Sequence, residues 1–230
     1  MSREDALVSA PPAALRVRAV VFDVGETLID ETTEYGTWAD WLGVPRHTFS
    51  AMFGAVIARG EDYRQTLQHF RPGFDLAAER LRREQADFPE HFAEQNLYPD
   101  ARPCLEKLRQ LGFVVGIAGN QTARAERLLH GLNLPADFIS TSAGWGVEKP
   151  SADFFDRIIA ECGCAPGEIA YVGDRLDNDI HPALAAGMVA VFLRRGPWGY
   201  IHAAHRDVTR AHLRLESLDE LPERLTALRQ

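Results

Sequence analysis

The run Val17-Arg18-Ala19-Val20-Val21-Phe22-Asp23-Val24-Gly25-Glu26-Thr27-Leu28 decides how the rest of the 230-residue chain is read. Residues 17–22 are almost continuously apolar and β-branched, the pattern of a strand covered on both faces in a parallel sheet. The Asp23 carboxylate follows at the carboxyl end of that strand, where open α/β sheets bind their ligands. An Asp in that place also commonly does no more than shape a turn, so position alone leaves both roles open.

Working outward, further apolar runs recur at 113–118, 138–140, 169–172 and 189–193, with helical periodicity at 101–111, 123–132, 151–162 and 179–186. This alternation predicts an α/β fold with a doubly wound, Rossmann-like parallel sheet and right-handed crossovers. Residues 30–97 break it: no strand run occurs there, and amphipathic helical patterns are punctuated by Val44-Pro45, Arg71-Pro72-Gly73 and Phe88-Pro89. The expected organisation is a core of residues 1–29 and 98–230 with an inserted helical subdomain at 30–97. Residues 212–215 read as a last strand, and Ser217 as the cap of a final helix whose Leu218, Leu221, Leu225 and Leu228 share a face. Gly196-Pro197-Trp198-Gly199 reads as an irregular loop.

Hydrophobic residues at 46% and charged residues at 25% are ordinary globular values, which excludes a disordered or fibrous chain. The formal net charge of -8 opposes a nucleic-acid partner. A small anionic substrate is still compatible, because a metal ion can reverse the field inside one pocket. Cys104, Cys162 and Cys164 lack the spacing of a disulfide framework or zinc site and read as reduced thiols. Residues 1–18 lack the apolar stretch of a signal peptide. No run approaches the roughly 18 apolar residues of a membrane span. A soluble cytoplasmic protein with no membrane partner is expected, and nothing in the sequence sets its oligomeric state.

Two more segments place charge beside a strand or helix end. Gly173-Asp174-Arg175-Leu176-Asp177-Asn178-Asp179 follows the apolar run at 169–172, so Asp23 and Asp174 could share a hard cation such as magnesium, which takes oxygen ligands. Asn178 or Asp179 could instead cap the next helix, whereas Asp174 lies too early to do so. Lys149, in Glu148-Lys149-Pro150-Ser151, could neutralise a phosphoryl or other acidic group, although an isolated lysine is commonly a solvated one.

Together these motifs resemble the haloacid dehalogenase-like hydrolases, most of which are phosphatases. The resemblance rests on the strand ending in Asp23 with Thr27-Leu28, the strand ending in Gly119-Asn120, Lys149-Pro150 and the Gly173-Asp174 to Asp179 segment, and it covers nearly the whole chain. Leu97-Tyr98-Pro99-Asp100-Ala101 is similar to the return from a helical cap of the kind the family inserts after its first motif. The resemblance implies that Asp23 is a nucleophile forming an aspartyl-phosphate. It implies that Asp23, Asp174 and the Gly25 backbone carbonyl hold Mg2+, and that Lys149 stabilises the nucleophile and phosphoryl charge. Asp179 would then orient Lys149 or metal-bound water from behind. Gly119, Asn120 and Thr122 would line the substrate side, Asn120 and Thr122 offering polar groups.

Two departures from the family pattern bear on activity. Its phosphatases carry a second aspartate two residues after the nucleophile, which protonates the leaving group and activates water, and here that position is Gly25. The second motif usually supplies a serine or threonine hydroxyl, and here that position is Gly119. Glu26 adjoins the missing acid, but strand alternation points it away from the Gly25 direction. The favoured reading is a magnesium-dependent phosphatase of a small phosphorylated metabolite. The alternatives are a dehalogenase-type hydrolase acting on a carbon centre and a catalytically silent binding or regulatory protein on the same scaffold. Within 30–97, which also carries His69, Tyr35, Trp38 and Trp41 read first as packing aromatics, and Arg64 and Arg71 as solvated groups. Of these, Trp38 and Arg71 are also the candidates for selecting substrate. His202 and His205 have metal-like spacing but no third ligand, and read as surface residues.

Overall fold

The computed structural model describes residues 16–228. The expectations for residues 1–15 lie outside the described residues, as do residues 229 and 230 of the expected core. Six strands form one parallel sheet in the order β3-β2-β1-β4-β5-β6: β1 (Ala19–Phe22), β2 (Val114–Gly119), β3 (Phe138–Thr141), β4 (Ile169–Gly173), β5 (Val189–Leu193) and β6 (Leu213–Leu215). β1 is central, and its side chains alternate between the two cores. Val20 and Phe22 pack with Val115, Ile117, Leu105 and Leu108 on one face, and Ala19 and Val21 with Phe154, Phe155 and Tyr171 on the other. Burial on both faces is the reason that its sequence is uninterrupted rather than alternating.

Between β1 and β2 the chain forms α1 (Thr32–Leu42), α2 (Arg46–Ala58), α3 (Gln65–Phe70), α4 (Leu76–Gln85) and α5 (Ala101–Gln110). α5 lays Ala101, Cys104, Leu105 and Leu108 on the sheet at helical spacing. α1, α2 and α3, with Phe74 from the link to α4, build a separate, mostly aromatic cluster from Trp38, Phe49, Phe53, Leu67 and Phe74, joined by Trp198 from beyond β5. The connections leading out to these helices and back lie side by side. Ile29 bridges Leu97, Asp30 N–H donates to Asn96 O at 2.8 Å, and Tyr98 N–H donates to Leu28 O at 2.9 Å.

After β2 come α6 (Ala123–Gly131), α7 (Ser142–Trp145), α8 (Ala152–Cys162), α9 (His181–Ala185), α10 (Gly196–His202) and α11 (Leu221–Leu228). Two local expectations are corrected. The segment 196–199 is not irregular but opens α10, because Pro197 suits the first turn of a helix and Trp198 is buried beneath it. The helix expected to start at Asp179 starts at His181, after a π-type turn over Leu176–Ile180. Asp179 makes no cap there, since its carboxylate turns back to accept from Arg175 N–H at 2.9 Å. Ser217 caps the turn at Leu218–Glu220 that leads into α11, accepting from Asp219 N–H.

Candidate active site

Four charged side chains meet at the carboxyl ends of β1 and β4. The Lys149 Nζ lies 2.7 Å from Asp23 Oδ1 and 2.6 Å from Asp179 Oδ1, and 5.5 Å above the Tyr171 ring. Burial alone would lower the Lys149 pKa, but the Asp179 and Asp23 charges outweigh it and hold the amine well above its ordinary value. Asp174 is 1% exposed, and its Oδ2 has no partner. Its burial, followed by the charges of Asp179 and Asp23, raises its pKa well above the carboxylate range. One oxygen from each of Asp23, Asp174 and Asp179 lies within 4.8 Å of the others.

Three carboxyl groups converge beside the single ammonium of Lys149 in a buried place, and Asp174 Oδ2 is left without a partner. A hard divalent cation fits that donor set, since it takes carboxylate and carbonyl oxygens and offsets the cost of burying charge. Asp179 is the least available of the three. Both its oxygens are taken, one by Lys149 and one by Arg175 N–H.

The glycines explain how the charges approach. A Cβ on Gly173 would fall 2.4 Å from the Asp179 carboxyl carbon, so any larger residue would push Asp179 off Lys149. A Cβ on Gly119 would fall 2.5 Å from Asp23 Oδ1. A serine or threonine there would require the carboxylate that Lys149 holds to shift. At Gly25 a Cβ would fall 2.6 Å from Glu31 Oε1 and 2.7 Å from its carboxyl carbon, so the space beside the missing aspartate is filled by a carboxylate from six residues on.

The two polar groups expected on the substrate side, Asn120 and Thr122, also make structural hydrogen bonds. The Asn120 side chain clamps the Lys149 backbone, donating to Lys149 O at 2.9 Å and accepting from Lys149 N–H at 2.8 Å. The Thr122 hydroxyl donates to Glu90 at 2.5 Å and accepts from Ala125 N–H as the cap of α6. Both residues also line the cavity above the charged cluster: Asn120 does so while positioning Lys149, and Thr122 while anchoring the turn after β2 to residue 90. Glu26 adopts a left-handed backbone at φ 52°, packs against Gly196 and takes the Tyr98 hydroxyl at 2.5 Å. Burial nonetheless raises its pKa. His202 accepts from Leu176 N–H and His205 from Asp207 N–H, so each serves the backbone.

Over these groups opens a cavity of about 970 Å³. Its other side is lined by the helical segment, including Tyr35, Phe49, Phe53 and Arg64, with Trp198 and Arg175 at the junction. Trp38 touches the cavity but is 4% exposed, packed on Phe74 and 4.0 Å under the Arg83 guanidinium. Arg71 is not among the lining residues and instead pairs with Glu79 at 3.3 Å. Glu31, Arg175 and Trp198 are site residues that the sequence reading missed. The one available signal was the vacancy at Gly25, which requires some other group to fill it.

The profile of the haloacid dehalogenase-like hydrolases matches residues 17–187. The chain belongs to that family. Among relatives of this haloacid dehalogenase-like hydrolase, the glyceraldehyde 3-phosphate phosphatase of Methanopyrus kandleri is 40% identical over 110 residues, 46% of this chain and 47% of that protein. The chain thus spans about half the length of the curated relatives it matches first. The phosphoglycolate phosphatase of Aliivibrio fischeri is matched more fully, at 26% identity over 81% of this chain and 86% of its own. A Bacillus subtilis hydrolase of the same family, solved bound to magnesium, superimposes with a TM-score of 0.67 at 18% identity, covering 91% of this chain and 99% of that one. A dehalogenase solved with an intermediate complex superimposes with a TM-score of 0.64 at 19% identity, covering 90% and 96%. At those identities the superpositions show the shared fold alone. Among the described residues no helix is long and apolar enough to cross a membrane.

Proposed function

We propose that this hydrolase is a magnesium-dependent phosphatase of a small phosphorylated metabolite, working through an aspartyl-phosphate on Asp23. The observation that carries this reading is the buried Lys149 amine held between Asp23 and Asp179, beside the unpartnered oxygen of Asp174. Asp23, Asp174 and the Gly25 carbonyl would hold the cation, which supplies positive charge to phosphoryl oxygens. Asp23 attacks phosphorus, so that the Asp23–phosphorus bond forms as the bond to the leaving oxygen breaks. Water then attacks the phosphorylated Asp23 and returns it with inorganic phosphate. Lys149 orients Asp23 and offsets the charge that accumulates on the phosphoryl group. Asn120 fixes the Lys149 backbone and Asp179 its amine, so the ammonium is preorganised before substrate arrives. The helical segment 30–97 is proposed as the cap, closing over the strand ends and excluding water during the first step. The wall it gives the cavity supports this.

The test is a screen of the purified protein against phosphate esters, acyl phosphates and 2-haloacids, with magnesium and with chelator. Phosphate release that disappears on chelation and returns with added magnesium is expected. Halide release from a 2-haloacid without phosphate release would overturn this reading in favour of attack on carbon, and no turnover of any class would favour the silent scaffold.

A further inference from the structure

We propose that Glu31 is the general acid and base of the phosphatase reaction, reaching from the start of the helical segment into the space that Gly25 leaves open. The proposal rests on the phosphatase reading above. The Glu31 carboxylate lies where the first atoms of any side chain at position 25 would stand, with Oε1, the carboxyl carbon and Oε2 at 2.6, 2.7 and 3.0 Å from an ideal Gly25 Cβ. The chain holds it there through a closed turn. Gly25 bridges Ile29, Ile29 N–H donates to Val24 O at 3.0 Å, and Glu26 N–H donates to Ile29 O at 2.8 Å, so Glu31 follows two residues after a segment tied to the nucleophile strand.

The other glutamates of the cavity are committed or distant from solvent exclusion. Glu26 takes the Tyr98 hydroxyl, Glu34 takes Arg83, Glu61 takes Arg59, Glu90 takes Thr122, and Glu148 is exposed to solvent. Among the described residues the Glu31 carboxylate, partly buried, has neither a hydrogen bond nor an ion pair, and it does not cap α1. A side chain packed into the site with no structural bond to keep is free to exchange a proton with a bound reactant.

In the first step the Glu31 carboxyl gives its proton to the leaving oxygen as the Asp23–phosphorus bond forms and the ester bond breaks, releasing an alcohol. In the second, the Glu31 carboxylate takes a proton from the water whose oxygen attacks phosphorus, releasing phosphate and Asp23 and restoring the acid. Ester and water are consumed, alcohol and phosphate are produced, and no other reactant is needed. Because Glu31 opens the helical segment, movement of that segment would carry the acid into or out of the site.

The experiment is rapid-quench trapping of phosphoenzyme with Glu31→Gln on one alkyl phosphate and one aryl phosphate of good leaving ability, alongside wild type. Steady-state turnover of the alkyl ester should fall about a hundredfold to ten-thousandfold, the usual worth of a positioned acid or base. With the aryl ester the burst should keep nearly its wild-type rate while phosphoenzyme accumulates, because only its hydrolysis needs the base. Glu31→Gln is isosteric and removes no structural bond. A second variant, Gly25→Asp with Glu31→Ala, should recover much of the alkyl activity, whereas Gly25→Asp alone should not gain, since its side chain meets Glu31. Wild-type rates in Glu31→Gln, or an equal slowing of burst and steady state on both esters, would overturn the assignment while wild-type phosphoenzyme leaves the phosphatase reading standing. No phosphoenzyme and no phosphate release from wild type would overturn both.

Discussion

The two walls of the cavity are built on different principles. On the sheet side, Asp23 and Asp174 stand at strand ends, and Asp23 and Asp179 are held by contacts of 2.6 to 2.7 Å to the buried Lys149 amine. On the helical side, Tyr35, Phe49, Phe53 and Tyr63 are held by ring packing, with centroids 4.5 Å apart for Tyr35 and Phe53 and 6.3 Å for Phe53 and Tyr63. Strand ends in a parallel sheet deliver side chains to one edge at fixed spacing, which suits charges that must be close neighbours. Apolar packing tolerates volume-conserving exchange of side chains at small cost, which suits a surface that selects substrate. Chemistry on the first wall and selection on the second is the division this contrast supports.

The contrast breaks most easily at Asp23. Asp23→Asn should lose turnover of the best phosphate ester by on the order of 10^4 to 10^6-fold, as removal of a covalent nucleophile does elsewhere. Its melting temperature should change little, because the Lys149–Asp179 pair is kept. Initial rates and a thermal melt on the same preparation check both. Turnover at the wild-type rate would remove Asp23 from the chemistry.

Lys149 separates the walls by stability. Lys149→Met leaves Asp23 and Asp179 facing each other in a buried place, and breaking such a pair by removing one partner costs about 3–5 kcal/mol. Urea denaturation in chelator should show that loss. An unchanged midpoint would mean that the carboxylates take up protons at no cost and that the amine does not organise the sheet-side wall.

The same contrast explains what was legible in the sequence. Asp23, Lys149, Asp174 and Asp179 follow strands or precede helices whose apolar patterns are strong, and the meeting of Asp23 with Asp174 follows from the pairing of β1 with β4. The side chains that escaped are set by tertiary contact. Nothing in Asn120 or Thr122 says that one will clamp the Lys149 backbone and the other bond Glu90. Nothing local says that Glu31 will fill a gap beside Gly25. The helix at 196–202 was obscured because two glycines flank Pro197-Trp198, and what stabilises it is the burial of Trp198 against Phe53 and Tyr63.

The finest distinction lies within the helical segment, between two arginines of which the sequence reading singled out Arg71 for selecting substrate. Arg71 turns to Glu79 and stacks over Phe74 at 5.8 Å, away from the cavity, whereas Arg64 lines it. Arg64 is about half exposed and shares its charge with Asp62 at 3.2 Å, so its pull on an anionic substrate is screened by solvent and by its neighbour. Arg64→Ala should therefore raise KM for a dianionic phosphate severalfold, about 2- to 10-fold, through weakened attraction across the cavity. Its kcat should hold, because the group does not reach the reacting atoms. Added salt should shrink the difference between variant and wild type. Arg71→Ala should leave the KM profile across the ester panel unchanged. Saturation kinetics for both variants at low and high salt make the comparison. A shifted profile in Arg71→Ala with none in Arg64→Ala would mean that substrate is selected outside the cavity wall identified by the lining residues.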